Sequence, residues 1–80
     1  MSGTPPISLQ EAFGRVLRKH RLAIRLRQEQ LGLESGVQRN FISLIETGQN
    51  QPTITTLFKL AQALSVKPSK LISDAEKLVG

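Results

Sequence analysis

Apolar residues recur at every third or fourth position along most of the chain, in short runs of which two are stopped by Gly36 and Gly48. Nowhere do they alternate with period two for long. A pattern of that period lays an apolar stripe along each of several helices and leaves nothing from which to build a sheet. Five helices are expected. Ser8 and Glu11 have the spacing of a capping box, in which each side chain satisfies the other's free amide. From there Leu9, Phe13, Val16, Leu17, His20 and Ile24 predict an amphipathic first helix over 9–24. A short second helix over 28–35 stops at Gly36, free to take the left-handed conformation that ends a helix. A third runs over 39–46 and stops at Gly48 by the same logic, and Gln49-Asn50-Gln51-Pro52 is turn chemistry. Thr53 caps a fourth, with Ile54, Leu57, Phe58, Ala61 and Leu64 as its apolar stripe. Pro68 suits the first turn of a fifth, over 68–78. Eighty residues hold one small domain. It is expected over 8–80, behind a flexible tail of residues 1–7.

The residue inventory removes most chemistry. There is no cysteine, hence no disulfide and no thiolate metal site. A single histidine removes His-rich metal sites and most nucleophile–histidine catalysis. The acids Glu11, Glu29, Glu34, Glu46, Asp74 and Glu76 form no evident constellation with a base. No enzyme, cofactor or metal is expected. No apolar run approaches the roughly 20 residues that span a bilayer, so a cytoplasmic, nucleoid-associated protein is expected.

Charge is more informative. Eleven basic residues face six acidic ones, a formal net charge of +5. Seven of the eleven (Arg15, Arg18, Lys19, Arg21, Arg25, Arg27 and Arg39) lie within 15–39, against only Glu29 and Glu34. That concentration points to a polyanion, and nucleic acid is the natural one. A merely solvated basic helix face would produce the same pattern.

The third helix separates two kinds of residue. At about 100° per residue, Phe41, Ile42, Ile45 and Glu46 fall on the core side. Arg39, Asn40, Ser43, Leu44 and Thr47 fall on the other. Gly32 precedes it where two steeply crossing helices need close backbone approach, and Gly36 makes the tight turn between them. With Val37, Ile42 and Ile45 buried, this is helix-turn-helix spacing over about 28–47, in which the second helix offers its exposed N-terminal side chains to a major groove.

Gln28-Glu29-Gln30-Leu31-Gly32, Gly36-Val37, Ile42-Ser43-Leu44-Ile45-Glu46-Thr47-Gly48, Pro52 and Leu57-Phe58-Lys59-Leu60-Ala61-Gln62-Ala63-Leu64 together resemble the Cro/C1-type (XRE) helix-turn-helix family. The resemblance covers about residues 13–72. Each piece is weak, but the ordered set is specific. Phe13-Gly14 and Arg39-Asn40-Phe41-Ile42-Ser43 look particularly like restriction–modification controller proteins, and small phage repressors are similar too. The resemblance implies an all-α, five-helix lambda-repressor-like domain and a DNA-binding transcriptional regulator. A repressor or controller acting as a homodimer on a pseudo-palindrome is expected. The alternative is a protein-interaction module, an antitoxin or bridging factor.

Roles follow position by position. Arg39, Asn40, Ser43 and Leu44 would face base edges, with Arg suited to guanine, Asn to adenine and Leu44 to a thymine methyl. Arg39 could equally hold a phosphate, and Leu44 could pack on protein. Arg27, Gln28, Gln38, Thr47, Gln49 and Asn50 would touch the sugar–phosphate backbone. Gln28 begins the motif's first helix, where free amides and the dipole favour an anion. Arg27 stands where the family commonly has a capping Ser, Thr or Asn, and an Arg cannot cap. Arg21 and Glu46 occupy positions that form an inter-helix salt bridge in this family. His20 stands where the family usually has Leu, and is expected to be a half-buried histidine bonded locally. Arg25 replaces a Gly that often ends the first helix. Val66, Leu71, Ile72 and Leu78 are candidate dimer contacts, read from more apolar residues than a short last helix can bury on its own domain.

Overall fold

Each stop signal ends a helix. The structure, a computed structural model, describes residues 7–79. In order come α1 (Leu9–Ala23), α2 (Gln28–Ser35), α3 (Arg39–Glu46), α4 (Ile54–Ala63) and α5 (Pro68–Val79). Of the expected tail, residues 1–6 lie outside the described residues. Ile7 does not belong to a tail, because it packs against the core.

The caps explain the boundaries. The Glu11 amide donates to Ser8 Oγ at 3.0 Å, and the Ser8 amide to Glu11 Oε1 at 3.5 Å, so the predicted box forms. At the start of α2, Arg27 makes no side-chain cap, but its own amide donates to Gln30 Oε1 at 3.0 Å. Half of a capping box is therefore kept without a capping residue. Gly36, at φ 76°, closes α2 through its amide to the Gly32 carbonyl at 2.9 Å. Thr53 caps α4 by accepting from the Thr56 amide at 3.1 Å.

Helix α1 is the organising element, packed on α5 along one side and on α3 along another, while α2 lies against both α3 and α4. Leu17, Leu31, Ile42, Ile45, Leu60 and Leu71 are fully buried where these helices meet. Burying each such side chain contributes about 1.5–3 kcal/mol. The α1–α3 approach is close at Gly14, where a Cβ would collide with the Ile45 carbonyl oxygen.

Four sequence expectations are corrected. Leu9 and Ile24, taken as part of the apolar stripe of the first helix, are exposed at its two ends. On α4, Leu57, Leu60, Ala61 and Leu64 turn inward, whereas Ile54 and Phe58 are 71% and 57% exposed. The apparent single stripe is two adjacent faces, of which one is covered. Leu71 is wholly buried in the chain's own core and is unavailable as a dimer contact. His20 is half-buried as expected, but its partner is not local: Nε2 lies 2.8 Å from Asp74 Oδ2 on α5. Asp74 also meets Lys70 Nζ at 3.1 Å. The His20 contact, then the Lys70 contact, holds the Asp74 carboxyl below the usual aspartate range.

Arg25, in place of the family's glycine, sits at φ 58°. The link between α1 and α2 thus keeps its left-handed residue without the residue type that adopts it freely.

Candidate nucleic-acid interface

The interface is built on one buried ion pair. Arg21, on the flank of α1 facing α3, donates from Nε to Glu46 Oε2 at 2.7 Å and from Nη2 to Oε1 at 2.9 Å. Its Nη1 donates to the Leu26 carbonyl at 2.8 Å. Gln28 Nε2 adds a fourth bond, to Glu46 Oε1 at 3.1 Å. The end of α3, the α1–α2 link and the first residue of α2 are thereby tied to a single guanidinium–carboxylate pair. The hydrogen bond to Glu46 raises the Arg21 pKa further, against the opposing effect of burial.

Around this pair opens a cleft of about 380 Å³ lined by Arg21, Arg27, Gln28, Glu29 and Arg39. The exposed Arg27 and Arg39 have no carboxylate within ion-pair distance among the described residues. Arg27, Arg39 and the amide end of α2 line one concavity together with Glu29, while the Arg21 guanidinium is already paired with Glu46. The two remaining guanidinium groups suit the cleft to an anion.

From the rim of this cleft α3 runs outward. Ile42, Ile45 and Glu46 are buried, Phe41 is half-buried, and Arg39 and Asn40 are exposed in the first turn. Ser43 and Leu44 are half-buried and Thr47 is exposed. Gln38 takes the N-cap position in extended backbone, exposed and making no side-chain cap. The turn geometry that sets this helix rests on Gly32, where a Cβ would stand 2.8 Å from the Val37 carbonyl oxygen.

The residues after α3 are tied to one another and to α1. Thr47 Oγ1 donates to the Ser43 carbonyl at 2.9 Å and accepts from Gln49 Nε2 at 2.9 Å. The amides of Gln49 and Asn50 both donate to the Leu44 carbonyl, at 2.8 and 3.2 Å. Gln10 Nε2 donates to the Gly48 carbonyl at 2.6 Å, and Gln51 Nε2 donates to Gln10 Oε1 at 2.9 Å. Gln10 thus fixes the loop that follows α3. Sequence reasoning missed it, since a bond across 38 positions leaves no local pattern.

The structure therefore brings Arg27, Gln28 and Arg39 to one cleft and continues it with Asn40. Thr47, Gln49 and Asn50 gather at the far end of α3. The candidate dimer residues separate. Val66 is half-buried against the core and Leu71 is inside it, while Ile72 and Leu78 are exposed. Ile72 shares a groove of about 580 Å³ with Ile54, Phe58 and Pro68. Ile54 and Phe58 were read from sequence as part of one apolar stripe with Leu57, Ala61 and Leu64, so the groove went unseen.

The comparisons with known proteins agree with this geometry. Residues 17–71 match the helix-turn-helix family HTH_3, and the chain belongs to that family. It is a family of DNA-binding transcriptional regulators and not of enzymes. The chain is 36% identical over 52 residues to the HTH-type transcriptional regulator y4dJ of Sinorhizobium fredii, covering 65% of this chain and 68% of that one. It is 33% identical over 67 residues to the control protein C.SmaI of Serratia marcescens, covering 84% and 80%. Among solved structures, the restriction-modification controller protein C.AhdI of Aeromonas hydrophila superposes with a TM-score of 0.76 at 37% identity, over 78% of this chain and 94% of that one. No described helix is long and apolar enough to cross a membrane.

Proposed function

We propose that the chain is a sequence-specific regulator of the controller or repressor type, binding a pseudo-palindromic operator in double-stranded DNA as a homodimer. The observation that carries this reading is the exposed first turn of α3, where Arg39 and Asn40 stand at the rim of the basic cleft at the start of α2. Cleft and first turn divide the work of recognition. Arg27, Gln28 and the α2 amides hold a phosphate and so fix the register, while Asn40 and Arg39 meet base edges in the major groove. Gln28 is held in place by Glu46, so the amide that meets the phosphate is already positioned. Thr47, Gln49 and Asn50, at the other end of α3, face the backbone on the far side of the groove.

The homodimer is supported by the apolar groove of Ile54, Phe58, Pro68 and Ile72, which nothing in the described chain covers. A second copy placed there by two-fold symmetry would pair two recognition helices for successive major grooves, about 34 Å apart. The similarity to control proteins supports the controller type.

The test is a binding scan of single base-pair changes across a selected operator with three proteins: wild type, Arg39→Ala and Asn40→Ala. Each variant is expected to lose discrimination by about 1–3 kcal/mol at one position in each half-site and to retain it elsewhere. Variants that bind the whole series as the wild type does would remove α3 as the reading element.

A further inference from the structure

The outward side of α1 carries three cations that the cleft does not use. Arg15, Arg18 and Lys19 are exposed, and at about 100° per residue they share an arc of about 100° that includes the exposed Leu22. Among the described residues none of the three has a carboxylate within ion-pair distance; the pairs formed are Arg21–Glu46, His20–Asp74 and Lys70–Asp74. Glu11 lies on the same side, but its carboxylate turns back to the Ser8 amide and hydroxyl, both at 3.5 Å.

Such an arrangement works against the helix that bears it. Arg15 stands three positions before Arg18 and four before Lys19, the spacings at which like charges repel on a helix surface. A polyanion would relieve that repulsion. The stripe is also continuous with the anion-binding cleft, because Arg18 lies one helical turn before Arg21, which lines it.

We infer that Arg15, Arg18 and Lys19 form a second phosphate-contacting surface, which holds the backbone of the same duplex beyond the base pairs that α3 faces. The inference rests on the reading of the chain as a DNA-binding regulator. Contacts of this kind carry no sequence information. They lengthen the footprint and steepen the dependence of affinity on salt, since each neutralised phosphate releases condensed counterions.

The experiment compares wild type with the triple variant Arg15→Ala, Arg18→Ala, Lys19→Ala on two duplexes. One is a selected operator with about ten base pairs of flank on each side, and the other is the same operator trimmed bare. All three sites are exposed and alanine is the best helix former, so the variant should fold as the wild type does, which circular dichroism checks. On the flanked duplex the wild type is expected to lose about 40-fold more affinity per bound protomer than the variant between 50 and 200 mM salt. The ratio of operator to scrambled sequence should be equal for the two proteins. On the trimmed duplex the salt slopes should coincide. A variant with both arginines changed to lysine should keep the wild-type slope, since charge alone is required.

Parallel slopes on the flanked duplex would overturn the inference, leaving a solvated helix face. A shallower slope for the triple variant on the trimmed duplex as well would overturn the placement outside the operator. A wild type that shows no operator preference would refute the regulator reading instead. The stripe would then still be decided by the two slopes on flanked random duplex.

Discussion

Arg21 and Glu46, 25 positions apart, meet through two hydrogen bonds in a nearly dry site that joins α1, the start of α2 and the end of α3. The same guanidinium holds the Leu26 carbonyl, and the same carboxylate holds Gln28. Position of α3 and position of the Gln28 side-chain amide are therefore one structural variable.

Removing either partner leaves a charge stranded in the interior. Arg21→Ala or Glu46→Ala should cost about 3–5 kcal/mol in urea denaturation. A paired replacement of Arg21 by Met and Glu46 by Leu should recover much of that stability. It should still impair DNA binding, because Gln28 loses its anchor. A loss below about 1 kcal/mol for the single variants would mean that the pair is solvated and does not organise the site.

The backbone makes two predictions of opposite sign. Gly14→Ala forces α1 away from the Ile45 carbonyl and should destabilise by about 1–3 kcal/mol. Arg25→Gly relieves a left-handed residue and should stabilise by about 1 kcal/mol. Thermal unfolding of both variants checks the pair: a destabilised Arg25→Gly would contradict the strain in the α1–α2 link, and an undisturbed Gly14→Ala would contradict the close α1–α3 approach.

Asp74 should shape the acid limb of the stability curve. Its carboxyl is held below the usual range by His20 and Lys70, so the folded state favours the ionised form. A depressed carboxyl contributes stability that is present above its unfolded value, about 4, and lost as pH falls through the folded value. Wild type should therefore lose more stability than Asp74→Asn as pH is lowered below about 4. Parallel curves for the two proteins would show that the ionised Asp74 carboxylate adds nothing to stability through His20 and Lys70.

Phe58 tests the dimer. It is more than half exposed, so Phe58→Glu should leave the protomer folded while placing carboxylates against each other across the proposed two-fold face. Sedimentation equilibrium should show at least a tenfold weaker association, with a matching loss of operator affinity. Unchanged association would place the interface elsewhere.

Local signals explain what the sequence made legible. Helix ends were set by Ser8, Gly36, Gly48 and Thr53, each acting within a few residues of itself, and they appear where the spacing puts them. The inward and outward sides of α3 follow from helical period alone, and Arg21–Glu46 followed from the family's pattern. What could not be read depends on which neighbour arrives from far along the chain. His20 faces Asp74 across 54 positions, and Gln10 reaches Gly48 across 38. Leu71 and Ile72 are adjacent and both apolar, yet one is in the core and the other in the groove. Being about 100° apart on α5, they part according to which face of that helix meets α1 and α4, and that is set by the tertiary packing. Ile54 and Phe58 were misread for the same reason: an apolar stripe wider than the contact that covers it looks from sequence like one face.

The role proposed for α3 is to read a specific duplex sequence as part of a two-fold assembly. Selection from a randomised duplex library, run at low and at near-physiological salt, tests it most directly. An inverted repeat with half-sites about one helical turn apart should be enriched and should survive the higher salt. Binding that is blind to sequence and disappears as salt rises would contradict it, and would leave a basic surface whose working partner is another protein.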